Sequence, residues 1–294
     1  MKATLAFLFG ISLGRLLETG VDLFQPHESI HQQDEGVGAI IPQASSNSAQ
    51  HNDNQNQNDG WKSIQVFHGS EPWPIPTPGQ WFSQAKQDEI VVELLHQKRQ
   101  GFFIDLAANH AIKLSNTLAL ERNVDWKGIC VEANPMYWYD LSKYRTCQIF
   151  GAVVGGTRDQ EMEFVFPINV DHKDMAVHGG ILGFDNQEND TKFPTKREKI
   201  RTVTLLEILE RAAAPTAIDY LSLDVEGAES LIMKDFPFEK YTIKILTVER
   251  PKEDLQALLR EKGYEFIKTI SYFQETLWVH SSFKDELDLR RFQA

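Results

Sequence analysis

Two acidic residues end consecutive apolar segments of this chain, in a pattern suited to holding a nucleoside. Asp105 closes the segment GFFID, and Glu132 closes the segment GICVE. Ala107 and Ala108 follow Asp105, and small residues at such a turn let the backbone approach a ligand closely. An acidic side chain in the position of Glu132 receives ribose hydroxyls in nucleotide-binding sheets. The two acids together predict a nucleoside site, although a plain strand-to-helix turn explains the first one equally well.

The glycines that would hold a dinucleotide are missing from the turn after Asp105. The dinucleotide fingerprint is G-x-G-x-x-G, whereas this chain has no glycine between Gly101 and Gly128. A cradle for a pyrophosphate is therefore not evident. An adenosine ligand without phosphates fits this pattern better than NAD does.

A third group of acids lies in the segment SLDVEGAE. Asp224, Glu226 and Glu229 follow an apolar run, and carboxylates this close together are costly unless they bind a cation, a ligand or a helix N-terminus. We expect Gly227 to make the turn and Glu229 to cap the next helix. Asp224 and Glu226 are expected to face a substrate.

The elements that must position these acids alternate between strand and helix from Ser83 onward. Such alternation is typical of an α/β fold, a mainly parallel sheet covered by helices on both faces. The last two strands are close in sequence, so they must be antiparallel to each other. The expected strands are 101–109, 127–132, 146–154, 217–224, 243–249, 264–273 and 275–281, and the expected helices begin near 83, 114, 135, 205, 229 and 254. The polar stretch 156–202 is expected to hold a small β excursion.

The first 82 residues differ in composition from the rest. Residues 1–24 carry Lys2 and then a short apolar run, which suits a signal peptide or a signal anchor. Residues 25–82 are rich in Gln, Asn and Pro and predict a disordered linker. The folded domain is then 83–294, and the protein is expected in the secretory pathway, as an endoplasmic reticulum or Golgi membrane protein with a lumenal domain, or secreted. Residues 3–24 are the expected membrane tether.

The charge and the cysteines narrow the classes of partner. The net charge is -12, so nucleic acid is not expected as a partner, since binding it requires many cationic side chains. Cys130 and Cys147 lie in apolar runs and are expected to be free core thiols, with a disulfide left open for an oxidising compartment. No metal is expected, because the only loose cluster of His and Asp, at 171–178, has poor ligand spacing.

Several segments taken together resemble one family. They are SQAKQDEIV, GFFIDLAANHAIKLSNT, GICVEANPMYW, FGAVVG, TVTLLEIL, YLSLDVEGAE and ILTVERP, in that order. These segments are similar to the FkbM-type S-adenosylmethionine-dependent methyltransferases over residues 83–282. The resemblance implies a Rossmann-like class I fold with a seven-stranded sheet whose final strand is antiparallel. It also implies methyl transfer to an oxygen.

Roles for individual residues follow from the same resemblance. Asp105, Ala107 and Asn109 would line the methionine side of S-adenosylmethionine, Glu132 and Asn134 would lie at the ribose, Gly151 and Ala152 would border the adenine, and Asp224 and Glu226 would lie near the transferred methyl group. Asp224, Glu226 or His110 would serve as the base, although His110 is also explained as a solvent-facing residue of a first helical turn. The family usually has Gly where Ala107 stands. If the turn requires positive φ, Ala107 lowers cofactor affinity, and if it requires only a small residue, alanine serves.

Two functions follow from these observations. The first is an O-methyltransferase that acts on a hydroxyl of a glycan or small metabolite. The second is a catalytically silent, membrane-tethered trafficking or interaction protein that keeps the methyltransferase fold.

Overall fold

The main sheet of the protein has eight strands, and a second sheet has three. The computed structural model describes residues 64–68, 79–167, 179–184 and 194–292. The strands, in chain order, are β1 (Gln65–His68), β2 (Phe102–Leu106), β3 (Lys127–Glu132), β4 (Gln148–Gly151), β5 (Glu161–Pro167), β6 (Gly180–Ile181), β7 (Thr195–Arg201), β8 (Ala217–Leu223), β9 (Thr242–Glu249), β10 (Tyr264–Thr269) and β11 (Glu275–His280).

The strand order of the main sheet is β1-β4-β3-β2-β8-β9-β11-β10, and β6-β5-β7 form the small sheet. Strands β4, β3, β2, β8 and β9 are parallel. Strand β11 runs antiparallel to both of its neighbours, and β1 runs antiparallel to β4. The strand order reverses between β2 and β8, and in such sheets ligands bind at that point, outside the carboxyl ends of the strands.

Helices cover both faces of the main sheet. They are α1 (Gln87–Leu94), α2 (Leu118–Val124), α3 (Trp138–Tyr144), α4 (Leu205–Arg211), α5 (Glu229–Lys234) and α6 (Glu253–Glu261). Side chains alternate along each strand, so Ile104 and Leu106 enter one apolar cluster while Phe103 enters the other. Helices α4, α5 and α6 complete the first cluster, and α1, α2 and α3 complete the second.

The expected fold class is confirmed, with a correction to the strand number. The sheet is mostly parallel with an antiparallel β11, but it has eight strands rather than seven. The additional strand is β1, which pairs with β4. The register runs from Gln65 opposite Gly151 to His68 opposite Gln148. It lies inside 25–82, so this segment, expected to be a disordered linker, contributes four residues to the sheet. The expected excursion in 156–202 is confirmed by β5, β6 and β7.

The helix after β2 begins later than its apolar pattern indicates. Leu114 was expected in this helix, but it is 40% exposed with φ +56°, and α2 begins at Leu118. The reason is local: the Ser115 hydroxyl accepts a hydrogen bond from the N–H of Leu118 at 3.1 Å. A serine that bonds to nearby backbone in this way favours a helix start over a helix interior. An eleven-residue connection, 107–117, therefore separates β2 from α2.

The expected signal or anchor segment, 1–24, lies outside the described residues, as does the cluster 171–178. Within the described part of the chain, no helix is both long enough and apolar enough to cross a bilayer. Cys130 and Cys147 are buried and free, as expected. Burial raises the pKa of the Cys147 thiol well above its ordinary value, which keeps this thiol protonated and unreactive.

Candidate active site

Four carboxylates are brought into one row along the carboxyl edge of the sheet. In β2, Asp105 pairs with Cys130 of β3 and with Ser222 of β8. Two residues further along each strand the register brings together Ala107, Glu132 and Asp224. The last β8–β9 pair is Leu223 with Val248, so Asp224 and Glu249 follow it side by side, and Glu249 pairs with Glu275 of β11. We call these five positions, Glu132, Ala107, Asp224, Glu249 and Glu275, the edge row.

The turn after β2 is built around Ala107, which has φ +68° and is exposed. Its N–H donates to the Val131 carbonyl at 2.9 Å, so the backbone stays attached to β3 while it turns. An L-residue with a side chain strains this conformation, which costs roughly 1–2 kcal/mol relative to glycine. The turn therefore does require positive φ, and alanine is the less favourable residue for it.

Glu132 joins the turn after β2 to the turn after β3. One carboxylate oxygen accepts the N–H of Asn109 at 2.7 Å, and the other accepts the N–H of Asn134 at 2.6 Å. The residue is 6% exposed. Burial is the main cause that raises its pKa to about 7, and the two N–H groups oppose the rise. The carboxylate thus organises both turns and keeps acceptor capacity, since each oxygen can accept a second hydrogen bond.

Asn109 and Asn134 have different roles beside Glu132. Asn134 accepts the N–H of Met136 at 3.1 Å, which begins the 3₁₀ turn Pro135–Tyr137. Asn109 has φ +52°, and its Oδ1 is buried with no hydrogen-bond partner among the described residues. A buried acceptor without a partner is uncommon in folded proteins and calls for a donor.

Asp105 is held inside the protein by a buried polar network. Its Oδ2 accepts the Thr117 hydroxyl at 2.6 Å and lies 4.0 Å from the Arg145 guanidinium. Arg145 is fully buried and donates to Glu121 at 2.6 Å, to Thr117 at 2.6 Å and to Ser115 at 3.2 Å. Burial raises the pKa of Asp105, while Arg145 and Thr117 oppose the rise. Asp105 therefore fixes both ends of the 107–117 connection.

The same network lies next to both thiols. Among the described residues, Glu121, Cys130 and Cys147 form the one set of three donor atoms close enough for a metal ion, within 4.8 Å of one another. The Arg145 guanidinium already binds Glu121 there. A metal ion at this place would lie beside a buried positive charge, so the donor set does not suit one.

Gly151 and Ala152 lie at the end of β4, beside Glu132. A Cβ at Gly151 would meet the Trp138 ring at 2.5 Å, so this tryptophan requires glycine there. The Glu132 carbonyl accepts the Trp138 indole N–H at 2.9 Å and the Ala152 N–H at 3.2 Å. Both positions therefore support the turn that holds Glu132, and their contact with an adenine stays a prediction.

His110 is bound to its own turn. Its Nδ1 accepts the N–H of Ile112 at 3.0 Å and of Lys113 at 3.1 Å. In a neutral ring this places the proton on Nε2, which is then a donor rather than a base. His110 as a base stays a prediction, and this geometry suits hydrogen-bond donation better.

Asp224 is half-buried among other acids at the end of β8. Its pKa lies well above its ordinary value, first because of burial and then because of the charges of Glu249, Glu226 and Glu275. A carboxylate of this kind is a stronger base than an exposed one once it is ionised. The position therefore suits removal of a proton from a bound acceptor.

Glu226 and Glu229 lie close to the edge row in sequence but bind different partners. Glu226 has φ +55° and pairs with Arg250 at 3.3 Å, while Arg250 also reaches Glu249 at 2.8 Å. Glu229 is the first residue of α5, but its carboxylate binds N–H groups that precede the helix and not those of the helix itself, which the expected cap would require. Its carboxylate accepts the N–H groups of Val225 and Gly227 at 3.1 and 3.0 Å and so closes the turn before α5.

Several residues of this edge were missed from the sequence. Arg145 and Glu121 carry no local signal, because their contacts with Asp105 arise only from packing. Glu249 ends an expected strand in the same way as Glu132 does, so that signal was available. Glu275 had none, since its place beside Glu249 depends on the insertion of β11 next to β9.

One comparison with known proteins identifies the family to which this edge of the sheet belongs. The family model of the methyltransferase FkbM domain matches residues 105–266, which is more than half of the chain. No curated protein matches the chain. Among solved structures, it is similar to the crystal structure of precorrin-6y C5,15-methyltransferase from Geobacter metallireducens GS-15, with 10% identity and a TM-score of 0.34 over 70% of this chain and 91% of that one.

The matched residues extend from Asp105 at the end of β2 to Phe266 in β10, so they contain every position of the edge row except Glu275. The chain therefore belongs to the FkbM methyltransferase domain family.

Proposed function

We propose that the protein is an S-adenosylmethionine-dependent O-methyltransferase that acts on a hydroxyl of a glycan or small metabolite. The observation that carries this proposal is the edge row itself. It brings Glu132, a suitable partner for ribose hydroxyls, and Asp224, a suitable base, to the two sides of the strand-order reversal between β2 and β8.

The cofactor side of the edge fits S-adenosylmethionine. Glu132 has acceptor capacity for ribose hydroxyls, and no phosphate-binding glycine loop precedes it. Asn109 and Asn116 each bury a side-chain carbonyl oxygen that has no partner among the described residues. Two buried acceptors suit the ammonium group of a methionine moiety, which donates three hydrogen bonds.

S-Adenosylmethionine supplies an activated methyl group with its own leaving group. The chain's own residues then have to orient the acceptor hydroxyl, exclude water and take its proton. Asp224 is placed for the proton, because it is half-buried and the acids around it raise its proton affinity. Glu226 is held by Arg250, so it suits the positioning of that segment better than proton transfer.

A second function has one observation in its favour. Ala107 occupies a turn position with φ +68° where a glycine would be unstrained. A catalytically silent trafficking or interaction protein would tolerate this strain more readily than an enzyme that must bind its cofactor well.

The setting proposed for either function is the secretory pathway, with residues 3–24 as a membrane tether. A reporter fused to residues 1–30 that stays in the cytosol would contradict that setting.

Calorimetry with S-adenosylmethionine and S-adenosylhomocysteine on the full chain tests the cofactor claim. We expect binding of both, and a loss of more than about tenfold in Glu132→Ala, since charge-assisted hydrogen bonds to the ribose are worth on the order of 2 kcal/mol. Glu239→Gln is the matched control, because Glu239 is exposed and precedes β9 at the opposite edge of the sheet. No heat with either ligand would overturn the enzyme proposal and leave the silent protein.

A further inference from the structure

Three carboxylates occupy successive positions across β8, β9 and β11. We call Asp224, Glu249 and Glu275 the acidic trio. Glu249 and Glu275 are directly opposite each other in an antiparallel pair, and Asp224 lies on the other side of Glu249. Like charges directly opposite each other in a sheet repel, so this arrangement is unfavourable for the protein alone once the carboxyl groups are ionised.

Glu275 gives independent evidence that a donor is missing here. It is 4% exposed, and its Oε1 is buried with no hydrogen-bond partner among the described residues. Hydrogen bonds from the side chains of Thr247 and Gln87 to this carboxyl group oppose the rise of its pKa, but Oε1 itself has no partner in the described part of the chain. A buried carboxylate oxygen without a donor is costly, and a ligand that donates to it would remove that cost.

Among the described residues, Arg250 is shared between the trio and another acid. It reaches Glu249 at 2.8 Å, but it also pairs with Glu226 at 3.3 Å and is itself exposed. Lys252 donates to the Gly227 carbonyl at 3.3 Å. Once they are ionised, the acids at the acceptor side of the edge therefore outnumber the arginine that they share.

A loop that carries exposed aromatic rings lies close to the end of β9. The loop between β10 and β11 presents Tyr272, which is 86% exposed, and Phe273, with ring centroids 3.8 Å apart. The Gln274 carbonyl of this loop accepts the Arg250 N–H at 3.2 Å, which fixes the loop beside the end of β9. Aromatic rings beside carboxylates are a combination that binds organic cations.

We propose that the acceptor carries a positively charged amine, which binds at Glu249 and Glu275 beside the Tyr272–Phe273 loop, while a hydroxyl of the same molecule lies at Asp224. This inference rests on the proposed function and names its substrate class. A divalent metal fits less well, because the trio is not among the donor sets within 4.8 Å of one another in the described residues. An ammonium group donates three hydrogen bonds and also binds aromatic faces.

The test uses the full chain saturated with S-adenosylhomocysteine and titrated by NMR with glucosamine at pH 7, where most of its amine is protonated. N-acetylglucosamine is the matched neutral probe, because acetylation removes the charge of the amine and leaves the sugar ring and its hydroxyls unchanged. We expect glucosamine to bind at least about tenfold more tightly. Glu249→Gln and Glu275→Gln should each weaken glucosamine by about tenfold, and Tyr272→Ala by about threefold. Glu239→Gln should have no effect.

Each outcome decides one claim. Equal binding of the two sugars, or Gln variants that bind glucosamine as the native chain does, would overturn the amine. Titration with Mg²⁺ or Mn²⁺ alone that is lost in Glu249→Gln, without any preference for glucosamine, would overturn it in favour of a metal site. Retained affinity for S-adenosylhomocysteine shows that a variant is folded. Absence of that affinity in the native chain, measured before any sugar is added, contradicts the proposed function instead.

Discussion

The two halves of the carboxyl edge differ in how many hydrogen-bond donors surround their buried acids. On the β2–β3 side, Asp105 and Glu132 are surrounded by donors: Thr117, Arg145 and two backbone N–H groups. On the β8–β9–β11 side, Asp224, Glu249 and Glu275 lie side by side, and one oxygen of Glu275 has no partner in the described part of the chain. The acids of the first half are therefore satisfied by the protein, whereas Glu275 in the second half is not.

This difference suggests that the acids of the first half organise the loops of the site, whereas those of the second half bind a ligand. A carboxylate that is already hydrogen-bonded holds its loops in place before any ligand arrives, which lowers the ordering cost of binding. A carboxylate that lacks donors gains most when a ligand supplies them. We therefore expect substitutions in the two halves to differ in sign as well as in size.

The largest effect is expected at the centre of the satisfied half. Arg145→Met leaves Glu121 and Asp105 buried without their cation, so the free energy of unfolding should fall by about 3–5 kcal/mol. Denaturant titration measures this change. Arg99→Met is the control, because Arg99 is exposed and donates to the Asn123 carbonyl at the surface. A loss as small as that of the control would show that the network does not stabilise the fold.

Replacement of the proposed base, Asp224, is expected to have the next largest effect. Asp224→Asn should lower the rate of methyl transfer by about 10²-fold at an unchanged affinity for S-adenosylhomocysteine, because general-base catalysis is lost. Glu249→Gln removes a neighbouring negative charge and should lower the pKa of Asp224, so the acid limb of its pH–rate profile moves to lower pH. Full activity of Asp224→Asn in a radiolabelled-methyl assay would exclude it as the base.

A change of opposite sign is expected at Glu275. Burial raises the pKa of Glu275 from 4.5 to about 7. The protonated side chain therefore contributes stability that is fully present below pH 4.5 and is lost as the pH rises through 7. Glu275→Gln cannot ionise, so it should match the native chain at pH 5 and exceed its unfolding free energy at pH 8 by on the order of 2 kcal/mol. Thermal unfolding at the two pH values measures the difference, and a pH-independent difference would contradict it.

The smallest effect is expected at the turn after β2. Ala107→Gly relieves the positive φ and should raise the unfolding free energy by about 1 kcal/mol. Ala108→Gly is the matched control: Ala108 is buried at 5% exposure and has no positive φ, so this change should destabilise by a similar amount. If Ala107→Gly also strengthens binding of S-adenosylhomocysteine, the strain acts on the cofactor site. An unchanged affinity would confine it to stability.

Local patterns predicted most of the fold, because apolar runs and turn residues act over a few positions. Strand β3 has the bounds that were expected, 127–132, and helix α5 begins at Glu229 as expected. The exceptions depend on distant pairing. Four residues, QVFH, carry too weak a pattern to predict β1, and only β4 shows that they form a strand.

In the candidate site, too, local patterns predicted some residues, whereas others depend on distant pairing. Glu132 and Asp224 each end a recognisable strand, so their positions on the edge followed from the alternation of elements. The orphan oxygen of Glu275 and the contact of Arg145 with Asp105 depend on sheet order and side-chain packing. No spacing within the sequence encodes either of them.

Strand β1 has a consequence for how the domain is cut out for experiments. It covers the free side of β4, and its Phe67 ring packs against Trp138 with centroids 5.5 Å apart. A fragment that begins at Ser83 would leave the backbone of Gln148–Gly151 unpaired on the side away from β3 and would expose one face of Trp138. Such an open strand edge is a template for aggregation. A soluble fragment should therefore begin before Ile64, although the family match itself starts only at Asp105.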